Sequence, residues 1–174
     1  MFTFVTGGLR SGKSEYAIRR ASEMGPPPWL WVAAYLEGDD ELKARLVGHR
    51  KDQDASWKLI GAPDTLSMVL DPETLGGSGA LVIDRLTVWL SNRLAVTDRS
   101  TDKALLGEVE VLADRLYRST TPAVVVTTEI GLGFLPANVP DRRLIDVAGM
   151  ANQILSERAE SVVLMVSGVA LRLR

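Results

Sequence analysis

Thr6-Gly7-Gly8-Leu9-Arg10-Ser11-Gly12-Lys13-Ser14 is the stretch whose reading decides the rest of this chain. It fits G-x-x-x-x-G-K-[ST] and lies between an apolar run, Phe2 to Val5, and a helical pattern, Glu15 to Met24. The spacing has a chemical reason. Gly7, Gly8 and Gly12 let the backbone turn tightly and bring its N–H groups close to a polyphosphate, which then lies on the N-terminal dipole of the following helix. Leu9, Arg10 and Ser11 complete the cradle, Lys13 reaches toward the β and γ phosphates, and Ser14 offers its hydroxyl to Mg²⁺. A Gly-rich turn with a purely structural role is the alternative, and the strand–loop–helix context argues against it. The expected ligand is a nucleoside triphosphate.

The bulk properties narrow the class. A chain of 174 residues with 46% hydrophobic content is long enough for one well-buried core and short for two, so a single domain over 1–174 is expected. A net charge of −2 with mixed signs provides no basic stripe, which argues against nucleic acid as a partner. No cysteine is present, so disulfides, thiolate metal sites and cysteine nucleophiles are excluded. The N-terminus runs straight into a strand, and no eighteen uncharged apolar residues stand in a row. No membrane span and a cytoplasmic location are the expectation.

Outward from the loop, strands and helices alternate. Phe2 to Thr6 reads as a buried strand, and the helix from Lys13 stops before Gly25-Pro26-Pro27-Pro28. Trp29 to Tyr35 and Trp57 to Ile60 read as strands, Pro63 to Leu70 as a short helix, and Gly76 to Gly79 as a flexible surface loop. Ala80 to Asp84 is an apolar strand ending in a carboxylate, the form of the second acidic element of a phosphate-loop protein, with Asp84 bound to Mg²⁺ directly or through water. An aspartate at a strand end is common in α/β proteins, so it gains meaning only beside the loop. Leu86 to Leu94 and Asp102 to Arg118 are helical, and Pro122 to Glu129 is a second strand ending in a carboxylate. Glu129 is read as a general base or a metal-shell residue, with a loop or cap carboxylate as the alternative. Arg142 to Ala159 is helical, and two β runs around Gly168 predict a terminal hairpin or bulged strand.

His49 is the only histidine. It falls on a helical pattern from Asp39 to Lys51, on one face with Leu42 and Leu46. Spacing alone favours a packing residue; the functional reading is a base or nucleophile, since imidazole is poised near neutral pH.

These stretches together resemble the bifunctional adenosylcobinamide kinase / adenosylcobinamide-phosphate guanylyltransferase family of cobalamin assembly. The resemblance is carried by the 6–14 loop, Asp40-Glu41, Arg45-Leu46, His49-Arg50, Trp57, Asp84 with Leu86 to Asn92, Glu129 to Gly133 with Pro136, Asp146, Gly149, Asn152-Gln153 and Val166-Ser167-Gly168. It implies an α/β P-loop NTPase-type three-layer fold with a mainly parallel central sheet and a C-terminal β-hairpin. It also implies ATP and GTP as substrates, Mg²⁺, adenosylcobinamide and its phosphate as acceptors, and a homotrimer. In the first implied reaction the corrinoid hydroxyl is phosphorylated. In the second, His49 attacks the α-phosphate of GTP, holds GMP as a phosphoramidate and passes it on to give adenosylcobinamide-GDP. Lys13 would spread charge on the phosphates in both steps, with Arg10 or Arg50 as further cations, and Glu129 stays the catalytic candidate read from its strand end. Ala33, Ala34, Tyr35, Arg50, Lys51, Asp52, Gln53, Gly61, Asp84 and Arg85 correspond to nucleotide contacts. The chain departs from the family pattern at Ala33-Ala34-Tyr35, Gln53, Gly61, Arg85, Thr128 and Ile145. Two other readings compete: a plain small-molecule kinase with His49 structural, and a non-catalytic nucleotide-binding switch.

Overall fold

The computed structural model describes residues 1–34, 56–133 and 137–174. Tyr35, the helix expected over Asp39 to Lys51 with His49, and Arg50, Lys51, Asp52, Gln53 and Pro136 lie outside these described residues.

The strands are β1 (Phe2–Gly7), β2 (Trp29–Ala33), β3 (Trp57–Gly61), β4 (Ala80–Asp84), β5 (Ala123–Val126), β6 (Ser161–Val166) and β7 (Val169–Arg172). They form one seven-stranded sheet in the order β3-β2-β4-β5-β1-β6-β7. All neighbours pair parallel except β6 with β7, the expected C-terminal hairpin. The helices are α1 (Lys13–Met24), α2 (Pro72–Leu75), α3 (Leu86–Ala95), α4 (Asp102–Arg118) and α5 (Val139–Arg158).

Alternation along the strands builds two cores. Phe2, Phe4, Leu30, Val32, Leu81, Ile83, Ala123 and Val125 turn to one face, where they meet Leu105, Val109, Leu112 and Leu116 of α4, Leu86, Trp89 and Leu90 of α3, and Val147, Ala151 and Leu155 of α5. Val5, Trp31, Val82, Val124, Val126 and Met165 turn to the other, against Ala17 and Ala21 of α1. Strands buried on both faces read as continuous apolar runs, which is why ALVID and AVVV were legible. Each fully buried large side chain contributes about 2 kcal/mol of burial free energy, and truncating Phe4 or Leu112 would cost more because a cavity remains. Arg143 pins α5 beside α3 and α4, with bonds to Asp102 Oδ1 at 2.6 Å and the Thr97 carbonyl at 2.7 Å.

Four elements differ from expectation. The strand expected over Pro122 to Glu129 ends at Val126: Thr127 N–H and Glu129 N–H still bond Val5 C=O and Gly7 C=O of β1, both 3.0 Å, but pairing with β4 stops at Val125 and the Thr128 N–H is taken by Thr87 Oγ1 instead. The helix expected from Pro63 is a 3-10 turn over Leu66–Leu70. Helix α5 begins three residues before Arg142, with Asn138 capping Asp141 N–H through its side chain and a proline in the first turn. Only the first half of the expected surface loop is exposed: Ser78 is buried, and Gly79 lies backbone to backbone against Pro26.

A Cβ on Gly79 would come 1.8 Å from the Pro26 carbonyl oxygen, whereas one on Gly107, inside α4, meets nothing within 4 Å. Gly79→Ala is therefore expected to destabilise by about 1–3 kcal/mol, and Gly107→Ala to stabilise by about 0.5–1 kcal/mol through helix propensity. Thermal melts of the two variants with opposite signs check this; a neutral Gly79→Ala would refute the close approach.

Candidate active site

Three left-handed backbone positions shape the loop between β1 and α1: Gly7 at φ 150°, Arg10 at 53° and Gly12 at 88°. Such positions curl the chain, the conformation in which successive N–H groups form an anion-binding concavity. Gly12 caps α1 without a side-chain acceptor, so the first-turn N–H groups are left for a ligand, as an anion site needs. The Lys13 ammonium is buried and held across this loop by the Gly8 carbonyl at 2.5 Å and Ser11 Oγ at 3.4 Å. Burial pushes its pKa down, while the charges of Asp84 and Glu15 oppose that shift. Leu9 and Arg10 stand exposed at the loop's crest.

Asp84 ends β4, separated from β1 by β5 alone. It is 3% exposed and its Oδ1 has no hydrogen-bond partner among the described residues. Burial drives its carboxyl pKa up; the Ser14 hydroxyl, the Arg85 charge and backbone N–H, and the Lys13 charge pull it back. Loop, Ser14 and second-strand carboxylate therefore share one neighbourhood. Arg85 turns the chain from β4 into α3 with φ 64°, and its Nη1 is buried without a partner among the described residues. An unsatisfied carboxylate oxygen beside a hydroxyl suits a hard cation that takes oxygen ligands, so Ser14 and Asp84 fit Mg²⁺.

Register places further residues in a row. Ala33 of β2 pairs with Gly61 of β3 on one side and Asp84 of β4 on the other, and Ala34 N–H bonds the Asp84 carbonyl at 3.4 Å. The described nucleotide-contact candidates Ala33, Ala34, Gly61, Asp84 and Arg85 are thus contiguous at the C-terminal ends of β2, β3 and β4.

Sequence reasoning overlooked the polar side chains that hold Glu129. Thr6 of β1 donates to Glu129 Oε2 at 3.3 Å and Asn152 of α5 donates to the same oxygen at 3.4 Å. Asn152 Oδ1 is buried without a partner among the described residues. Thr87, at the start of α3, bonds Thr127 Oγ1 at 2.9 Å and accepts the Thr128 N–H at 3.0 Å, fastening the segment that leads to Glu129. The available signal for Asn152 was a polar residue on the apolar stripe that Ala148, Ala151 and Leu155 define in α5.

Residues 3–173 match the family described as cobinamide kinase / cobinamide phosphate guanyltransferase. The chain belongs to this family. A bifunctional adenosylcobalamin biosynthesis protein of Pseudomonas aeruginosa is 35% identical over 174 residues, spanning 100% of this chain and 98% of that protein. Another of the same description from Salmonella typhimurium is 29% identical over 184 residues, spanning both chains fully at 100%. Among solved structures, the flagellar accessory protein FlaH of Methanocaldococcus jannaschii superposes with a TM-score of 0.53 at 12% identity, over 99% of this chain and 77% of that one, a likeness of fold. As a member of the cobinamide kinase / guanyltransferase family the chain is an enzyme of cobalamin biosynthesis that uses nucleotide substrates. No described helix is long and apolar enough to cross a membrane.

The upward shift at Asp84 means that folding opposes its ionisation. That penalty is absent below the ordinary carboxylate pKa of about 4, grows as pH rises toward the raised folded value, and is complete above it. In chelator-containing buffer, Asp84→Asn is expected to raise the melting temperature at neutral pH and to lose that advantage near pH 4. Melting both proteins across this range checks the sign; an Asn variant less stable at pH 7 would contradict it.

Proposed function

We propose that one domain spanning residues 1–174 performs both of its family's reactions at the C-terminal ends of the parallel strands. The carrying observation is the Asp84 Oδ1 atom, buried and unpartnered among the described residues, beside the Ser14 hydroxyl and the Lys13 ammonium at a helix N-terminus without a side-chain cap. Ser14 and Asp84 would hold Mg²⁺, which when bound neutralises charge on the β and γ oxygens. The loop N–H groups from Gly7 to Gly12 and Lys13 take the triphosphate and stabilise charge on the transferring phosphoryl group.

Glu129 is the base for the acceptor hydroxyl. Its Oε2 is held by Thr6 and Asn152, and its Oε1 takes no bond among the described residues, leaving an oxygen for the proton. As the hydroxyl oxygen of adenosylcobinamide bonds to the γ-phosphorus, the bond from that phosphorus to the nucleoside diphosphate breaks and Glu129 carries the proton away.

For guanylyl transfer, a neutral His49 nitrogen attacks the α-phosphorus of GTP and pyrophosphate leaves. A phosphate oxygen of adenosylcobinamide phosphate then attacks the same phosphorus, the P–N bond breaks, and adenosylcobinamide-GDP departs. Ala33, Ala34, Tyr35, Arg50, Lys51, Asp52, Gln53, Gly61, Asp84 and Arg85 would surround the nucleotide. A homotrimer, as the resemblance implies, and a cytoplasmic location belong to the same reading.

Incubation with Mg²⁺ and GTP labelled at the α-phosphate is expected to leave acid-labile, alkali-stable label on the denatured protein. His49→Ala should lose the label yet keep phosphorylating adenosylcobinamide, whereas Lys13→Ala should lower the kinase rate by at least about 10²-fold, the loss typical of one transition-state donor. Label that persists in His49→Ala would remove the phosphoramidate from the mechanism. Kinase turnover with no label in the unaltered protein would leave a plain kinase with a structural His49.

A further inference from the structure

The terminal hairpin touches both ends of the phosphate loop. Gly7 pairs in register with Met165 of β6, and a Cβ on Gly7 would come 2.3 Å from the Met165 carbonyl oxygen. The loop therefore begins packed backbone to backbone against β6. At its far end the contact recurs: a Cβ on Gly12 would lie 3.5 Å from Gly168 Cα and 3.7 Å from Met165 Cε.

Between β6 and β7 the chain reverses on Ser167 and Gly168, with φ of 49° and 85°, the left-handed pair of a two-residue hairpin turn. Val166 and Val169 are the register partners that close this turn. The Gly168 N–H is left over from the ladder, and it donates to the Ser11 carbonyl at 3.0 Å although Gly168 is itself exposed. An exposed turn would ordinarily leave that N–H to water; here it reaches the loop at the other end of the chain.

The geometry points to the Ser167-Gly168 turn as a positioning brace for the phosphate loop: by holding the Ser11 carbonyl, the Gly168 N–H sets the Ser11–Gly12 peptide so that the Gly12 N–H faces the bound phosphates. In a planar trans peptide, C=O and N–H point in opposite directions. Fixing the Ser11 oxygen on the hairpin side therefore turns the Gly12 N–H to the side away from the hairpin. A donor fixed before the ligand arrives needs no reorganisation on binding, the condition under which it contributes most. Ser167 and Gly168 are positioning residues on this account, since they act on the phosphates through Ser11 and Gly12. The inference rests on the reading that this loop takes a nucleoside triphosphate.

The test replaces Gly168 by glycolic acid during cell-free translation, so that one N–H becomes an ester oxygen and every side chain stays in place. Calorimetry with Mg²⁺ then compares GTP, ATP and inorganic tripolyphosphate on the full chain. All three are expected to bind about tenfold more weakly in the ester protein, by a common factor, because the lost orientation concerns the phosphates alone. Affinities for tripolyphosphate within about twofold of the unmodified chain would overturn the brace and leave the hairpin a sheet edge. A measurement on the unmodified chain guards against misfolding of the ester: the Gly168 amide proton is expected to exchange at least about tenfold more slowly than that of Ser167, and equal exchange would remove the bond on which the brace depends. If the unmodified chain binds none of the three ligands, the nucleotide reading itself fails and the brace falls with it.

Discussion

A loop that offers unpaired backbone N–H groups to a ligand cannot hold its own shape with those groups, so it must be held by everything else it owns. In this protein the carbonyls and α-carbons between Gly7 and Gly12 carry that duty. Gly7 C=O accepts from Glu129, Gly8 C=O from the Lys13 ammonium, Ser11 C=O from Gly168, and Gly12 C=O from Tyr16 as α1 begins. In each peptide the N–H points opposite to the carbonyl that is tied down, so every tethered acceptor also fixes the direction of the donor next to it. Strand order follows from the same requirement: β1 lies between β5, whose continuation supplies Glu129, and β6, which supplies Met165 and the hairpin.

Around that loop the protein retains buried charge that an apolar core would exclude. Lys13 and Asp84 are each disfavoured by their own burial, and each relieves the other in part. A buried pair of this kind is weak support for stability and more informative about function, because groups displaced from their ordinary pKa concentrate where ligands bind. The threonine contacts of Thr87 with Thr127 and Thr128 work in the opposite sense, satisfying hydroxyls and a backbone N–H so that the segment leading to Glu129 is fixed.

Much of the fold was legible because its signals are local. The strand before the loop, the helix after it, the stop at Gly25-Pro26, the full extent of α4 and the terminal hairpin each rest on residues adjacent in sequence, where propensity, periodicity and turn chemistry act directly. Errors arose where distant backbone decided. The strand at Val126 ends early because β4 no longer pairs beyond Val125 and Thr87 takes the next N–H, and Gly79 is a packed contact because Pro26 happens to cross there.

The sequence by itself determined where the phosphate loop lies and its order of elements, since four spaced residues and their flanks are a local signal. It also determined Lys13, Ser14 and Asp84 as the groups to watch, and by resemblance the family. Only the tertiary structure decided which residues support them. Thr6, Glu129 and Asn152 come from β1, the segment after β5, and α5, and they meet because parallel strands end on one edge of the sheet. The Gly168 N–H meets Ser11 for the same reason: a hydrogen bond between the two ends of a chain depends on register and layer packing, which no run of neighbouring residues records.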